Sequence, residues 1–175
     1  MIILGIDPGL NVTGYGAIAA HSRRFQLVTA GDIRTPSGKP LPERLAYLHQ
    51  ALTTLIERQH PGTIVLEMVF THERYVSTAA MMAHARGVAC LAAEQQCIPL
   101  VQYSPARVKQ ALTGHGAASK DQVARMVAQW LGSSDPAWSF DATDALALAI
   151  AHAHMEHQHR FTSQRGGRLA RRVAG

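Results

Sequence analysis

Four acidic residues stand at positions where a carboxylate needs an explanation. Asp7 ends an otherwise apolar run near the N-terminus, and Glu67 interrupts a second apolar run. Asp141 and Asp144 are three residues apart at the start of a predicted helix, and therefore lie on one face of it. Because burying an unpaired carboxylate is unfavourable by several kcal/mol, each strand acid should have a partner or a cation.

Each acid also has an ordinary alternative role. Asp7 precedes Pro-Gly and suits a turn, and Glu67 could form a salt bridge with an arginine. Aspartate at a helix N-cap and again three residues later satisfies free amides and complements the helix dipole. Taken by themselves, Asp141 and Asp144 are therefore helix-capping residues, and spacing alone does not show that they meet the strand acids.

Four carboxylates in one place would repel one another strongly unless cations lay between them. Hard oxygen ligands with open coordination positions suit Mg²⁺ or Mn²⁺. Two such ions can activate a water molecule and stabilise the leaving oxygen of a phosphoryl displacement. The acids therefore predict a metal cluster for cutting nucleic-acid phosphodiester bonds.

Basic and aromatic side chains near these acids are candidates for DNA contacts. Lys120 falls at the first position of a predicted helix, and Arg107 and Lys109 lie in the first turns of the preceding one. Helix N-termini attract phosphate. Phe70 and Arg74 follow the second strand acid in a polar segment, where an aromatic ring could stack on an unpaired base. The alternatives are long side chains extending into water and a phenylalanine packed in the core.

The hydrophobic pattern predicts one α/β domain with a mixed sheet. Strands are predicted over 2–6, 13–20, 25–34, 63–69 and 100–103, and helices over 41–56, 76–96, 105–112, 119–131 and 141–157. The first three strands follow one another through polar turns and should be antiparallel. The fourth follows a helical crossover and should run parallel to the first, which brings Asp7 and Glu67 to the same end of the sheet.

Composition separates the body of the chain from its C-terminal end. The chain has 175 residues, the size of one domain, and a formal net charge of +5. Residues 160–175 contain five arginines and no acid, so this segment carries the excess charge and is predicted to be a disordered tail after a domain over 1–159. Cys90 and Cys97 match no disulfide or zinc spacing, and no run is long enough to span a membrane. A cytoplasmic protein without membrane contact is predicted.

A set of short motifs runs in order along the chain from residue 2 to about residue 154. They are Gly5-Ile6-Asp7-Pro8-Gly9, Thr13-Gly14-Tyr15-Gly16, Leu66-Glu67-Met68-Val69-Phe70, Ala85-Arg86-Gly87-Val88, Val108-Lys109-Gln110, Gly114-His115-Gly116, Lys120-Asp121-Gln122-Val123 and Asp141-Ala142-Thr143-Asp144-Ala145-Leu146-Ala147. A lone Gly-Ile-Asp-Pro-Gly is a weak signal, but the ordered set is highly specific. Together these motifs resemble the RuvC family of Holliday-junction resolvases.

The resemblance implies a ribonuclease-H-like fold with a five-stranded sheet flanked by helices, and a homodimer with one Mg²⁺-dependent centre per subunit, Mn²⁺ being a substitute. Such a dimer makes paired symmetric nicks in a four-way DNA junction during recombination and repair, beside a branch-migration complex of the RuvA and RuvB type. By matching motif, the four acids are the catalytic metal ligands. Lys109 and Lys120 contact DNA near the scissile phosphate, and Phe70 stacks at the junction centre. Met68 stands where the motif usually has a polar residue, which puts fine substrate readout in doubt.

Two other classes of protein share part of the pattern. Gly-Ile-Asp-x-Gly also opens the phosphate-binding hairpin of actin-like ATPases and sugar kinases, but those proteins need two such domains. A non-catalytic binder of branched DNA would have no use for four acids facing phosphates.

Overall fold

The structure is a computed structural model that describes residues 1–21, 24–68, 76–133 and 137–173. In chain order its elements are β1 (Ile2–Asp7), β2 (Val12–His21), β3 (Arg24–Arg34), α1 (Leu41–Gln59), β4 (Thr63–Glu67), α2 (Val76–Gln95), β5 (Leu100–Tyr103), α3 (Pro105–Thr113), α4 (Lys120–Trp130) and α5 (Phe140–Val173). None of the helices within these ranges is long and apolar enough to cross a membrane.

The strands form one mixed sheet with the order β3-β2-β1-β4-β5. β1, β2 and β3 pair antiparallel, whereas β4 runs parallel to β1 and β5 runs parallel to β4. The predicted mixed sheet and the predicted direction of β4 are thus confirmed. The parallel pairs bring the C-terminal ends of β1, β4 and β5 to one end of the sheet.

Helices cover both faces of this sheet, because alternate side chains of its central strands are apolar on both sides. One face packs on α1 and α2 through residues such as Leu4, Ile64 and Leu66. The other face packs on α3, α4 and α5 through Ile3 and Val65. The period-two alternation of a strand then places Asp7 on the same face as Ile3, and Glu67 on the same face as Val65. Both strand acids therefore face the layer that contains α5.

Small residues allow α5 to lie directly on the strands. A Cβ atom added to Gly5 would lie 1.9 Å from the carbonyl oxygen of Ala145, and one added to Gly14 would lie 2.1 Å from that of Asp141. Side chains at these positions would hold the helix away from the sheet. The two glycines thus bring the first turns of α5 close to the end of β1, where Asp7 is located.

The predicted elements are confirmed, most of them to within two residues at either end. Two helices run further than predicted: α1 ends at Gln59 and not at residue 56, and α5 continues past its predicted end at residue 157 to Val173. Residues 158–173 contain no proline, and their glutamine, arginine, leucine and alanine residues favour a helix, whereas Gly166 and Gly167 disfavour it. The separation of residues 160–175 from the domain over 1–159 stays a prediction.

Candidate active site

A cavity of about 270 Å³ opens where the parallel strands end against the helices of the second layer. Asp7, Glu67 and Asp144 supply three carboxylates to its wall, and Lys109 and Lys120 supply two ammonium groups. The rest of the lining is mainly apolar and comes from α3, α4 and α5. Three of the four predicted acids and two of the predicted DNA-contacting lysines are therefore brought together.

The fourth acid, Asp141, lies beside this cavity. It lines a neighbouring depression together with the turn between β1 and β2, residues 9–12. Its charge nevertheless acts on Asp7 and raises the pKa of that carboxyl. The acid pair on α5 thus straddles two adjacent depressions.

Burial and mutual repulsion raise the pKa of two of the carboxyl groups that line the cavity. The pKa of Asp7 is raised from 3.8 to about 7, first by burial and then by the charges of Asp144, Glu67 and Asp141. The pKa of Glu67 is also raised, by burial and then by Asp144. Shifts of this kind, caused by burial together with like charges, are typical of functional sites.

Lys120 places a cation among the acids. Its ammonium group donates a hydrogen bond to Asp144 at 3.0 Å, which raises the pKa of the lysine. The lysine occupies the first position of α4, whose N-terminus is fixed by a capping box between Ser119 and Gln122. Because the side chain of Lys120 is 73% exposed, it can reach both the acids and an incoming phosphate.

The cavity offers carboxylate oxygens, the kind of donor that a hard divalent cation prefers. Its acidic ligands are all carboxylates, and a cation between them would favour their ionised forms. In the arrangement of the described residues, no three Asp, Glu, His or Cys side chains are close enough to hold a metal ion. Asp7, Glu67 and Asp144 would hold such a cation once their carboxylates lay closer together than they do here.

Arg44 holds the turn that follows Asp7. Its guanidinium group is buried and donates to the side chains of Asn11 (2.6 Å) and Thr35 (3.0 Å) and to the carbonyl oxygen of Leu10 (3.1 Å). We refer to these contacts as the Arg44 clamp. They connect α1 and the end of β3 to the turn after β1, and so support the position of Asp7.

The sequence carried a signal for this clamp that our prediction missed. Arg44 lies in register with Leu48, Leu52 and Ile56, a spacing of four residues that marks the buried stripe of α1. A charged residue in a buried stripe needs polar partners, and the turn after Asp7 provides them.

The N-terminus of α5 is capped by Ser139, so the interpretation of Asp141 as the N-cap is wrong. The Ser139 hydroxyl accepts a hydrogen bond from the Ala142 N–H at 3.0 Å and donates one to Asp32 on β3. Asp32 in turn forms an ion pair with Arg34 at 2.7 Å. Serine caps a helix about as well as aspartate does, and a serine cap leaves the carboxylate of Asp141 available.

The remaining predicted residues are placed as follows. Arg86 on α2 donates a hydrogen bond to the backbone carbonyl of Glu67, not to its carboxylate, so this arginine does not form the salt bridge considered from the sequence. Arg107 lies over the ring of Tyr103, at 5.7 Å from its centroid, and donates to the sulfur of Met155 at 3.3 Å, outside the cavity lining. Phe70 and Arg74 lie outside the described residues.

Comparisons with known proteins show which sequences and folds this chain is similar to. The family model described as "Crossover junction endodeoxyribonuclease RuvC" matches residues 3–152. A protein of that name from Alkaliphilus oremlandii is 42% identical over 154 residues, 88% of this chain and 93% of the relative. The solved structure of Thermus thermophilus RuvC superposes with a TM-score of 0.84 at 32% identity, covering 90% of this chain and 96% of the other. A structure of the same Thermus protein in complex with a Holliday-junction substrate gives a TM-score of 0.82 at 29% identity, with the same coverage.

Proposed function

Because the chain belongs to the RuvC family of crossover junction endodeoxyribonucleases, we propose that it resolves Holliday junctions through the carboxylates of the cavity and Asp141 beside it. The protein is a nuclease that depends on a divalent metal and acts in DNA recombination and repair. One observation carries the assignment of residues: Asp7, Glu67 and Asp144 come from three separate elements and line one cavity between two lysines.

In this proposal Asp7, Glu67, Asp141 and Asp144 hold Mg²⁺, for which Mn²⁺ is a substitute. The bound cations supply an activated water and a counter-charge for the leaving oxygen of the cut phosphodiester. The carboxylates orient these groups, and the raised pKa of Asp7 means that cation binding releases a proton at neutral pH. The apolar part of the lining excludes bulk water from the reacting phosphate.

The two lysines bind the DNA backbone at the cut. Lys120 reaches into the cavity from the N-terminus of α4, where free amide groups and the helix dipole also favour an anion. Lys109 reaches it from α3 on the same side. The family resemblance gives Phe70 a stacking role and leaves Arg74 and Arg107 as further candidates for backbone contacts.

The symmetry of the junction supports a homodimer. A four-way junction presents two equivalent strands, so two symmetric nicks require two active centres, and one such cavity is found within the described residues. The family also supports a partnership with a branch-migration complex of the RuvA and RuvB type. Because the proposed substrate is cellular DNA, the proposed function also supports the predicted cytoplasmic location.

The test compares an end-labelled four-way junction with a linear duplex of the same sequence, in Mg²⁺ and in chelator. Paired nicks confined to the junction and dependent on metal are expected. Equal cutting of the linear duplex would contradict junction selectivity.

Two variants test the residues. Asp7→Asn should bind the junction without cutting it, and unchanged cutting would remove Asp7 from the mechanism. Lys120→Ala should cut more slowly with its fold preserved, because the lysine side chain is exposed; loss of folding would instead give this residue a structural role.

A further inference from the structure

Phe140 is an aromatic side chain with an unusual degree of exposure. It is the first residue of α5, and 74% of its surface is open to solvent. The other exposed large apolar residues in the described part of the chain reach at most 51%. Single exposed apolar side chains are common on proteins, so exposure alone does not indicate a binding role for Phe140, and its position must be considered.

Helix geometry places Phe140 one turn before the part of α5 that lines the carboxylate cavity. Asp144, Ala147 and Leu148 form the stripe of α5 that lines the cavity. At about 100° per residue, Phe140 lies roughly 40° around the helix axis from Asp144 and inside the arc that this stripe covers. It precedes Asp144 by four residues, so it continues the stripe outwards by one turn, about 6 Å along the axis. Helical side chains lean towards the N-terminus, which carries the ring further towards solvent.

The surroundings of this position suit a nucleotide strand. Free amides at the start of α5 favour an anion. The exposed guanidinium group of Arg34 pairs with Asp32, which accepts a hydrogen bond from Ser139, the residue before Phe140, so a cation belongs to the same rim of the site.

We propose that Phe140 is a stacking platform for a nucleobase beside the scissile phosphate. An aromatic face binds any base, with strength that depends on the base, so the platform contributes to the sequence preference of the cut. This inference rests on the proposed function, since it takes the phosphate in the cavity to be the one that is cut. A second copy of the chain is a poorer occupant, because an apolar surface over this rim would close the cavity to DNA.

The experiment uses four-way junctions that carry the fluorescent base 2-aminopurine at single positions flanking the cut. Binding is followed with proteins that also carry Asp7→Asn, so that the DNA stays intact, and cutting is measured with the same Phe140 variants in the active protein. Stacking quenches 2-aminopurine, so wild-type Phe140 should give position-specific quenching. Phe140→Ala should lose the quenching, weaken binding on the order of tenfold and flatten the base preference of cutting, whereas Phe140→Trp should retain all three.

Tyr47→Ala is the matched control. Tyr47 is a 46% exposed aromatic residue on α1, in the layer on the opposite face of the sheet. Its removal should leave quenching and cutting unchanged. If Phe140→Ala behaves like this control while the parent protein cuts junctions, the stacking platform is refuted and the proposed function stands. If Phe140→Ala instead lowers the molecular mass in sedimentation, the ring belongs to an interface between copies and the inference is also refuted. A parent protein that does not cut junctions refutes the proposed function.

Discussion

A single methyl group at residue 14 should separate catalysis from junction binding. The Cβ atom of Gly14→Ala would lie 2.1 Å from the carbonyl oxygen of Asp141, whereas real Cβ contacts essentially never fall below 3.0 Å. β2 and the first turn of α5 must therefore move apart by at least the difference, about 0.9 Å. The neighbouring atom is backbone, so rotation of a side chain cannot relieve the contact.

The expected loss of cutting rate depends on which carboxylates move with the first turn of α5. Asp141 and Asp144 travel with the first turn of α5, while Asp7 stays on β1. A misplacement of about 1 Å in a catalytic constellation lowers the rate on the order of 10²-fold. Overpacking of a well-packed contact lowers the free energy of unfolding by about 1–3 kcal/mol, which a domain of this size tolerates.

The assay measures the single-turnover cutting rate of the junction, its dependence on Mg²⁺ concentration, junction binding in chelator and urea unfolding. We expect slower cutting at saturating Mg²⁺, nearly unchanged junction binding and a moderately lower free energy of unfolding. Gly38→Ala is the control, because a Cβ atom there has nothing within 4 Å and no strain from a positive φ. Wild-type cutting by Gly14→Ala would refute the idea that close contact between β2 and α5 positions the acids.

Three further perturbations test the electrostatics and the supports of the site. The pKa of Asp7 is about 7 in the folded protein and 3.8 ordinarily, so the folded state binds the proton more tightly than the unfolded state. The free energy of unfolding of the metal-free protein should therefore fall as the pH rises from about 4 to 7. Urea unfolding at several pH values should show this fall, and Asp7→Asn should lack the part that Asp7 contributes. Arg44→Met leaves the acceptors of the Arg44 clamp unsatisfied and should lower the free energy of unfolding, measured in urea, by about 2–3 kcal/mol. Arg44→Lys should recover only part of this lost stability. An unchanged free energy of unfolding in Arg44→Met would mean that water replaces the guanidinium group. Ser139→Ala removes the cap of α5 and should lower the free energy of unfolding by about 1 kcal/mol. It should also lower the apparent affinity for Mg²⁺, measured from the Mg²⁺ dependence of cutting. Ser139→Thr keeps a capping hydroxyl and should retain the stability and the Mg²⁺ affinity of the parent protein.

Patterns along the chain were sufficient for the elements and for half of the site. Apolar runs and the helical crossover predicted that Asp7 and Glu67 end parallel neighbouring strands, because these rules depend on local periodicity and chain direction. The meeting of Asp144 with that pair came from family resemblance alone. Its physical cause is the backbone contact at Gly5 and Gly14, and the sequence shows a glycine without showing what lies against it.

The supports of the site were missed for a related reason. Ser139 contacts Asp32 across 107 residues of chain, a separation at which spacing carries no information, and Asp32 in turn pairs with Arg34. Arg44 could have been found, since its place in a buried stripe of α1 is visible in the sequence. The end of α5 was predicted too early, because the basic, acid-free segment after residue 159 was interpreted as a disordered tail.

The ion pair between Lys120 and Asp144 also bears on how the protein can hold a junction before it cuts. With all groups ionised, the three carboxylates that line the cavity are opposed by two ammonium groups, so the net charge there is only −1. Protonation of Asp7, with its pKa about 7, brings it closer to neutral near physiological pH. Phosphates can then enter without meeting strong repulsion, and a stable encounter does not have to wait for the cation. Junction binding and strand cutting are then separable steps, and DNA and metal can bind in either order, depending on their concentrations in the cell.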